Sequence, residues 1–119
     1  MNQSLKLVVF LLIILKFGLS QPPVLIKNIN PSFGTSSYPQ NLAPLNGILY
    51  FSADNGTHGF ELWKTDGTAA GTILVKDLTP GITSTDNLRD FTVVSNQLYF
   101  TCKTGTELWV SNGNLSGTD

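Results

Sequence analysis

The stretch ELWKTDGTAAGT at residues 61–72 returns, altered but recognisable, as ELWVSNGNLSGT at residues 107–118. Both stretches keep the Glu-Leu-Trp triplet, a glycine at the seventh position and a closing Gly-Thr pair. A match of this kind indicates a duplicated unit. Self-similarity at a fixed spacing is the sequence mark of repeat architectures, so we predict a repeat protein.

The similarity extends on both sides of that stretch. LIKNI at 25–29 matches LVKDL at 74–78, and GILYF at 47–51 matches NQLYF at 96–100, each pair lying 49 residues apart. Glu61 and Glu107 are only 46 apart, because the connection at 53–60 is shorter in its second occurrence at 102–106. Surface loops tolerate such length changes. The unit is therefore about 49 residues long, and the chain holds about two of them.

The composition limits both the size and the partners of the protein. The 119 residues suffice for one small domain. Residues 21–119 hold 5 basic against 8 acidic side chains, and without a basic patch nucleic acid is not an expected partner. Cys102 is the only cysteine, so no internal disulfide framework exists. Cys102 follows an apolar run, which favours a buried, inert thiol over intermolecular pairing.

The first twenty residues have the pattern of a secretory signal peptide. Lys6 precedes the apolar run 7–15, and small residues at 18 and 20 place the expected cleavage before Gln21. The alternative is a membrane anchor, but nine apolar residues fall short of the ~20 that span a bilayer. We therefore predict a secreted, extracellular or cell-surface protein, with no transmembrane segment once the signal is removed.

The rest of the chain predicts an all-β fold. Its apolar runs are short, rich in β-branched and aromatic residues, and separated by Gly, Pro, Asn, Asp, Ser and Thr. We predict one unit over residues 21–71 and a second, degenerate and truncated, over 72–119. The predicted strands are 24–29, 41–45, 48–53 and 60–65 in the first unit, and 72–78, 91–95, 97–102 and 107–111 in the second.

Turns and alternation suggest how these strands are arranged. Asn46-Gly47 is the favoured pair for a two-residue hairpin, and Ser95-Asn96 holds the matched place. Successive side chains of a strand point to opposite faces of the sheet, and residues 48–51 are all apolar. Both faces of the sheet are therefore predicted to be covered by other parts of the protein. Four strands in about 49 residues is the size of a propeller blade. We expect about two four-stranded antiparallel blades of a β-propeller.

Two blades do not close a ring, since propellers typically have about 4–8. We therefore expect a fragment of a longer ring, with further blades supplied in cis. The alternative is a small protein whose ring is assembled by oligomerisation of several chains.

The residues ELWKTDGT at 61–68 resemble the signature of the ELWxxDGT repeat proteins. GTILVKDLTPG at 71–81 and NGILYF at 46–51 are similar to the stretches that flank that signature. The resemblance covers nearly all of residues 25–118. It implies a large secreted or surface protein with tandem copies and a β-propeller fold, and it brings no catalytic residues. The second copy departs from the pattern where Val110, Asn112 and Asn114 replace Lys64, Asp66 and Thr68.

The repeated acids and tryptophans admit two interpretations each. Glu61 and Glu107 would form a ring of carboxylates for a cation or a sugar, or would accept a repeated hydrogen bond from a backbone N–H. Trp63 and Trp109 would stack on a sugar, or would pack between blades. A residue present in every unit usually serves the unit, so we favour the structural interpretation. The same holds for the remaining signature positions, Leu62, Asp66, Gly67, Leu108 and Gly113.

The loop 54–59 is the candidate ligand loop, with Asp54, Asn55 and His58 as its polar residues. Its oxygen atoms suit Ca²⁺, but it lacks the spaced carboxylates of a calcium loop, and we favour a hairpin loop. His58 is the only histidine, so a multi-histidine zinc cluster is excluded, and no Cys/His nucleophile pair is expected. Asn55 and Asn114 begin glycosylation sequons, which matter if the source is a eukaryote. We predict no catalytic residue, cofactor or metal.

These features favour a non-enzymatic secreted protein that acts as a recognition, adhesion or structural scaffold for an extracellular protein or carbohydrate. Binding sites tend to lie on loops held by a rigid scaffold, and the connection that differs in length between the copies is the place to expect one. The alternative is part of a propeller enzyme acting on extracellular polysaccharide, with its active site in blades outside this chain.

Overall fold

The computed structural model describes residues 21–78, 80, 88–102 and 106–118. Over these ranges the fold is all-β, as predicted, apart from one turn of 3-10 helix at Leu115–Gly117. The predicted signal peptide lies on residues 1–20, outside the described residues. The strands are β1 (Gln40–Leu45), β2 (Ile48–Asp54), β3 (Phe60–Thr65), β4 (Ile73–Lys76), β5 (Arg89–Val94), β6 (Gln97–Cys102) and β7 (Glu107–Ser111).

The strands form two antiparallel sheets. The first sheet has the order β1-β2-β3-β4, and the second has the order β5-β6-β7. Asn46 and Gly47 join β1 to β2 with φ of 51° and 77°, and Ser95 and Asn96 join β5 to β6 with φ of 48° and 61°. Two consecutive positive φ values are what a two-residue hairpin with the natural strand twist requires.

The strand predicted to open the second unit belongs instead to the first sheet. β4 pairs with β3, with Leu74 opposite Trp63 and Ile73 opposite Lys64. A strand that follows another after a short turn usually pairs with it. β4 therefore pairs with β3, although the sequence repeat assigns this stretch to the second unit. The unit boundary predicted between residues 71 and 72 therefore cuts through the first sheet. The predicted strand at 24–29 is also wrong, because these residues belong to no strand.

Matched irregularities occur in β1 and β5. The register slips at Asn41 and at Asp90, whose φ values are 57° and 58°. Asn41 Nδ2 donates to Ser52 Oγ at 3.2 Å on the next strand, and Asp90 Oδ2 accepts from Thr101 Oγ1 at 2.7 Å. Each bulge thus carries a polar side chain that bonds to its neighbouring strand. Asn41 Nδ2 also donates to the carbonyl of Leu88 at 2.6 Å, which links the two sheets.

The main core lies between the two sheets. The side chains of Leu62, Leu98 and Phe100 are fully buried there. Burying each of them stabilises the fold by roughly 1.5–3 kcal/mol, so the contact between the sheets is a large share of the driving force. The first sheet contributes Ala43, Leu45, Tyr50, Leu62 and Val75, and the other side contributes Leu88, Leu98, Phe100 and Cys102.

The opposite face of the first sheet is apolar as well. Phe51, Ala53 and Trp63 form a second cluster, against which Ile29 and Leu74 pack. The residues preceding the sheet therefore cover part of that face. Apolar residues on both faces of one sheet agree with the alternation along 48–51.

Candidate functional site

The turns that follow β3 and β7 share one hydrogen-bond pattern. Thr65 Oγ1 and Thr72 Oγ1 lie 2.8 Å apart, and the matched hydroxyls of Ser111 and Thr118 lie 2.7 Å apart. In both turns the first hydroxyl also accepts the N–H of the turn glycine, at 3.0 and 2.9 Å. The hydroxyls at these signature positions are therefore engaged in building the turn.

The acid in the first turn has an amide as its counterpart. Asp66 Oδ1 accepts the N–H of Thr68 at 2.9 Å, and Asn112 Oδ1 accepts the N–H of Asn114 at 3.0 Å. The Thr68 hydroxyl, and after it the Thr68 N–H, lower the pKa of the Asp66 carboxyl. Because an amide oxygen supplies the same acceptor, Asn112 keeps the turn that Asp66 builds.

The second turn is also where the sheets meet. Lys64 Nζ donates to the carbonyl of Gly113 at 2.7 Å. A Cβ added to Gly113 would overlap Tyr50 Oη, whereas a Cβ added to Gly67 would meet nothing within 4 Å. The matched glycines have similar φ values of 90° and 94°, so they differ in their neighbours and not in their backbone.

Two lysines 49 residues apart make equivalent contacts. Lys27 Nζ donates to the carbonyl of Thr72 at 2.8 Å, and Lys76 Nζ donates to the carbonyl of Thr118. Lys76 Nζ also lies 5.5 Å from the ring centroid of Trp109, within the range of a cation–π interaction. Both lysines therefore bind the turn of the sheet that follows them in the chain.

The repeated glutamates have different partners in the two sheets. Glu61 is 1% exposed, and its Oε2 accepts the N–H of Leu78 at 2.6 Å. Glu107 is half-buried, and its Oε2 accepts Trp109 Nε1 at 3.1 Å. The bond at Glu61 is of the kind that the structural interpretation requires. That interpretation stays a prediction for the pair.

The two tryptophans are both engaged in packing. Trp63 is 7% exposed in the second cluster, and its Nε1 is buried without a hydrogen-bond partner among the described residues. Trp109 is half-buried and stacks on Phe100 with the ring centroids 6.4 Å apart. These contacts are of the kind that the packing interpretation requires, and that interpretation stays a prediction for the pair.

The candidate ligand loop forms the connection between β2 and β3. Asn55 Oδ1 accepts the N–H groups of Thr57 and His58, and Asn55 Nδ2 lies 2.9 Å from His58 Nδ1. Asn55 and His58 therefore hold the loop in shape. Of the two sequon asparagines, Asn55 is half-buried and Asn114 is exposed.

Asp54 lines a polar cleft beside that loop. The cleft measures about 490 Å³. The buried side chain of Asn30 shapes its other wall, because Asn30 Oδ1 accepts the Ser32 N–H at 3.2 Å and the Thr35 hydroxyl at 3.0 Å. The N–H of Asp54 donates to the carbonyl of Ser37 at 2.8 Å and ties the two walls together. The lining residues are Asn30, Gly34, Thr35, Ser36, Tyr38, Asp54 and Gly56.

Only one side of this cleft is predicted from the sequence. Asp54 lies in the predicted candidate loop, whereas Asn30 and Tyr38 are not among the predicted site residues. The available signal was Asn-Pro-Ser at 30–32, because asparagine before such residues commonly accepts a backbone N–H two residues on. Nothing local indicated that this turn would lie beside Asp54.

A second cleft, of about 280 Å³, is apolar. It lies between residues 24–29 and the first sheet, where Leu25 and Ile26 face Leu49 and Phe51. Its floor is thus the face of the first sheet that does not contact the second sheet.

No group of three His, Cys, Asp or Glu side chains suited to a metal occurs within the described ranges. The same part of the chain contains no helix of the length and apolarity needed to cross a membrane. Comparison with family models, with curated proteins and with solved structures finds no match to this chain.

Proposed function

We propose that this chain is a secreted or surface-exposed protein of the ELWxxDGT repeat kind, whose two sheets are blades of a β-propeller. Three observations support the proposal. The sheets pack face to face, the first sheet is apolar on both faces, and matched turns carry the same hydrogen bonds. Stacked four-stranded sheets with both faces covered are what a propeller is built from.

Its function, in this proposal, is recognition or adhesion, with the polar cleft as the binding site. The observation that carries this is the composition of the cleft, which combines the Asp54 carboxylate with the hydroxyls of Thr35 and Ser36. Tyr38, 65% exposed, lines the same cleft, and Phe33 nearby in the chain is fully exposed. Hydroxyl-rich ligands such as carbohydrates are held by polar groups of this kind together with an aromatic ring.

The cleft favours binding over hydrolysis. Glycosidases generally use two carboxyl groups that flank the bond they cleave. Asp54 is the single carboxylate among the residues that line the described cleft. Asp54 Oδ1 accepts the N–H of Gly56 at 2.6 Å, so its role there is to orient the loop and accept hydrogen bonds.

A glycan array followed by isothermal titration calorimetry with the best glycan tests the proposal. We expect Asp54→Asn to weaken binding about tenfold or more, since a hydrogen bond to a charged group contributes roughly 1.5–3 kcal/mol. Asp66→Asn is the matched control, because Asp66 is exposed and lies outside the cleft. Binding to no glycan, or equal effects of the two substitutions, would contradict the proposed site.

A further inference from the structure

Tyr38 holds its backbone in an unfavourable conformation, with φ of 43°. The other five non-glycine residues with positive φ in the described ranges are asparagine, aspartate or serine, and each stands in a hairpin turn or at a strand bulge. Tyr38 lies in neither kind of position. A bulky side chain is rarely found in this region of φ, because its Cβ crowds the backbone and the conformation costs free energy of folding.

Neither the local sequence nor burial accounts for this conformation. Pro39 follows Tyr38, and a residue before proline normally adopts extended backbone with negative φ. The Tyr38 side chain is 65% exposed, so little burial of its ring offsets the strain. Strained residues of this kind persist where the surrounding structure holds them, and they concentrate at functional sites. Tyr38 is therefore held in place by its surroundings and not by its own preference.

Hydrogen bonds from both walls of the polar cleft hold the segment that contains Tyr38. The Tyr38 N–H donates to Ser36 Oγ at 3.1 Å, and the Ser36 carbonyl accepts Asn30 Nδ2 at 3.4 Å. The Ser37 carbonyl accepts the Asp54 N–H at 2.8 Å. The segment is thus tied to Asn30 on one side and to Asp54 on the other, and Tyr38 lines the cleft together with both.

Two polar groups of the cleft complement each other toward a ligand. Asp54 Oδ1 accepts the Gly56 N–H at 2.6 Å, and the other carboxylate oxygen, Oδ2, takes no part in that bond. Ser36 Oγ accepts the Tyr38 N–H, so its own proton can be donated to a ligand. One group can accept from a sugar hydroxyl and the other can donate to one. Of the described lining residues, Asp54 alone carries a charge, and this negative charge disfavours acidic ligands.

Within the proposed carbohydrate-binding function, on which this inference rests, we propose that the cleft binds a neutral hexopyranose stacked on the Tyr38 ring. The ring covers a face of the sugar from which C–H bonds project, and Asp54 and Ser36 hold its hydroxyl groups. The strained backbone of Tyr38 keeps the ring at the cleft at a cost in stability, a relation often found at binding sites. The cleft volume of about 490 Å³ lies within the range of roughly 300–1,000 Å³ for small-molecule sites.

Isothermal titration calorimetry on the intact chain tests the ligand class. The probes are methyl β-D-glucoside and methyl β-D-galactoside, each compared with its uronic acid, which replaces the primary alcohol with a carboxylate. We expect at least one neutral glycoside to bind. Its uronic acid should bind at least about fivefold more weakly, because its charge has the same sign as that of Asp54.

Substitution of Tyr38 separates binding from folding. Tyr38→Gly removes the ring and relieves the strain, so the affinity for the neutral glycoside should fall about tenfold or more. The melting temperature of the same variant should rise by about 4 °C. Tyr38→Phe keeps the ring and the strained backbone, and it should keep the wild-type melting temperature and most of the affinity. Phe33→Gly is the matched control, because Phe33 is exposed but has no positive φ, and its variant should not gain stability.

The outcomes distinguish this inference from the proposed function. Unchanged affinity in Tyr38→Gly, a melting temperature that does not rise in that variant, or an equal rise in Phe33→Gly would overturn the role of Tyr38 and leave the proposed function standing. Tighter binding of the uronic acids, or binding of neither neutral glycoside, would overturn the ligand class alone. Failure to bind any glycan on the array contradicts the proposed function itself.

Discussion

Replacing Gly113 with alanine should destabilise the protein more than the same replacement at Gly67, although the two glycines hold matched turn positions. Their φ values of 90° and 94° impose nearly the same backbone strain on an alanine. At Gly67 the new methyl group meets no atom within 4 Å, whereas at Gly113 it overlaps Tyr50 Oη and lies 2.9 Å from Tyr50 Cζ. The difference between the variants therefore isolates the packing of one sheet on the other.

The expected magnitudes follow from these two terms. A left-handed backbone costs an L-residue roughly 1–2 kcal/mol, so we expect Gly67→Ala to lower the free energy of unfolding by about that amount. Forcing an extra methyl into a packed contact typically costs about 1–3 kcal/mol more, which brings the expected loss for Gly113→Ala to about 2–5 kcal/mol. Adding Tyr50→Phe removes the overlapping hydroxyl, so the double variant should regain about 1 kcal/mol relative to the sum of the single changes.

Urea unfolding, with the slope m shared across variants, measures these differences from the midpoints. Gly67→Ala serves as the strain control for Gly113→Ala. If Gly67→Ala and Gly113→Ala lower the free energy of unfolding by amounts that agree within about 0.5 kcal/mol, the placement of Tyr50 against the second turn is refuted. That value is the usual limit of additivity for independent sites. Additivity of Gly113→Ala and Tyr50→Phe would refute it as well.

Two further predictions concern acidic side chains at signature positions. The depressed pKa of Asp66 contributes stability above its ordinary value of 3.8, and this contribution is lost as the pH falls through the lower folded pKa. The variant Asp66→Asn keeps an acceptor oxygen at this position, as Asn112 does in the second turn. Its melting temperature should therefore fall less than that of the wild type between pH 5 and about pH 2. Parallel pH profiles of the two proteins would contradict this prediction. Glu61→Ala should lower the free energy of unfolding by about 1–3 kcal/mol, because it leaves the Leu78 N–H without its acceptor. Glu107→Ala should cost less, since Glu107 is half-buried, and equal shifts of the urea midpoint would argue against this account.

Local sequence features predicted the elements of the fold well. Asn46-Gly47 and Ser95-Asn96 stand at the observed hairpins because two-residue turns need two positive φ values. The strands β2, β3, β6 and β7 lie close to their predicted places, since β-branched and aromatic runs mark strands wherever they pack.

The pairing of strands was predicted less well. The stretch at 72–78 was correctly predicted to contain a strand, but this strand was assigned to the wrong sheet. The repeat in the sequence shows that two segments are related, and it does not show which neighbouring strand each one pairs with. Residues 24–29 resemble β4 closely, yet they form no strand. An extended segment becomes a strand only where another edge supplies its hydrogen bonds, and that partner is not encoded in the segment.

The candidate site was predicted only in part. Asp54 was identified as a loop residue, but its cleft is completed by Asn30 and Tyr38, which lie 16 or more residues earlier in the chain. The functional interpretation of Asn55 rested on its polarity. In the structure its side chain holds the loop together, because short amides readily bond to nearby backbone N–H groups.

The amino-acid pattern alone predicts that the protein is all-β, where its hairpins turn, and that the first sheet has two apolar faces. These properties follow from short-range rules on φ, side-chain alternation and propensity. Three features become visible only in the folded chain: β4 completes the first sheet, Tyr50 packs on Gly113, and Asp54 and Asn30 line the same cleft. Each of these depends on which distant segments pack together, and packing is a property of surfaces that no local pattern contains.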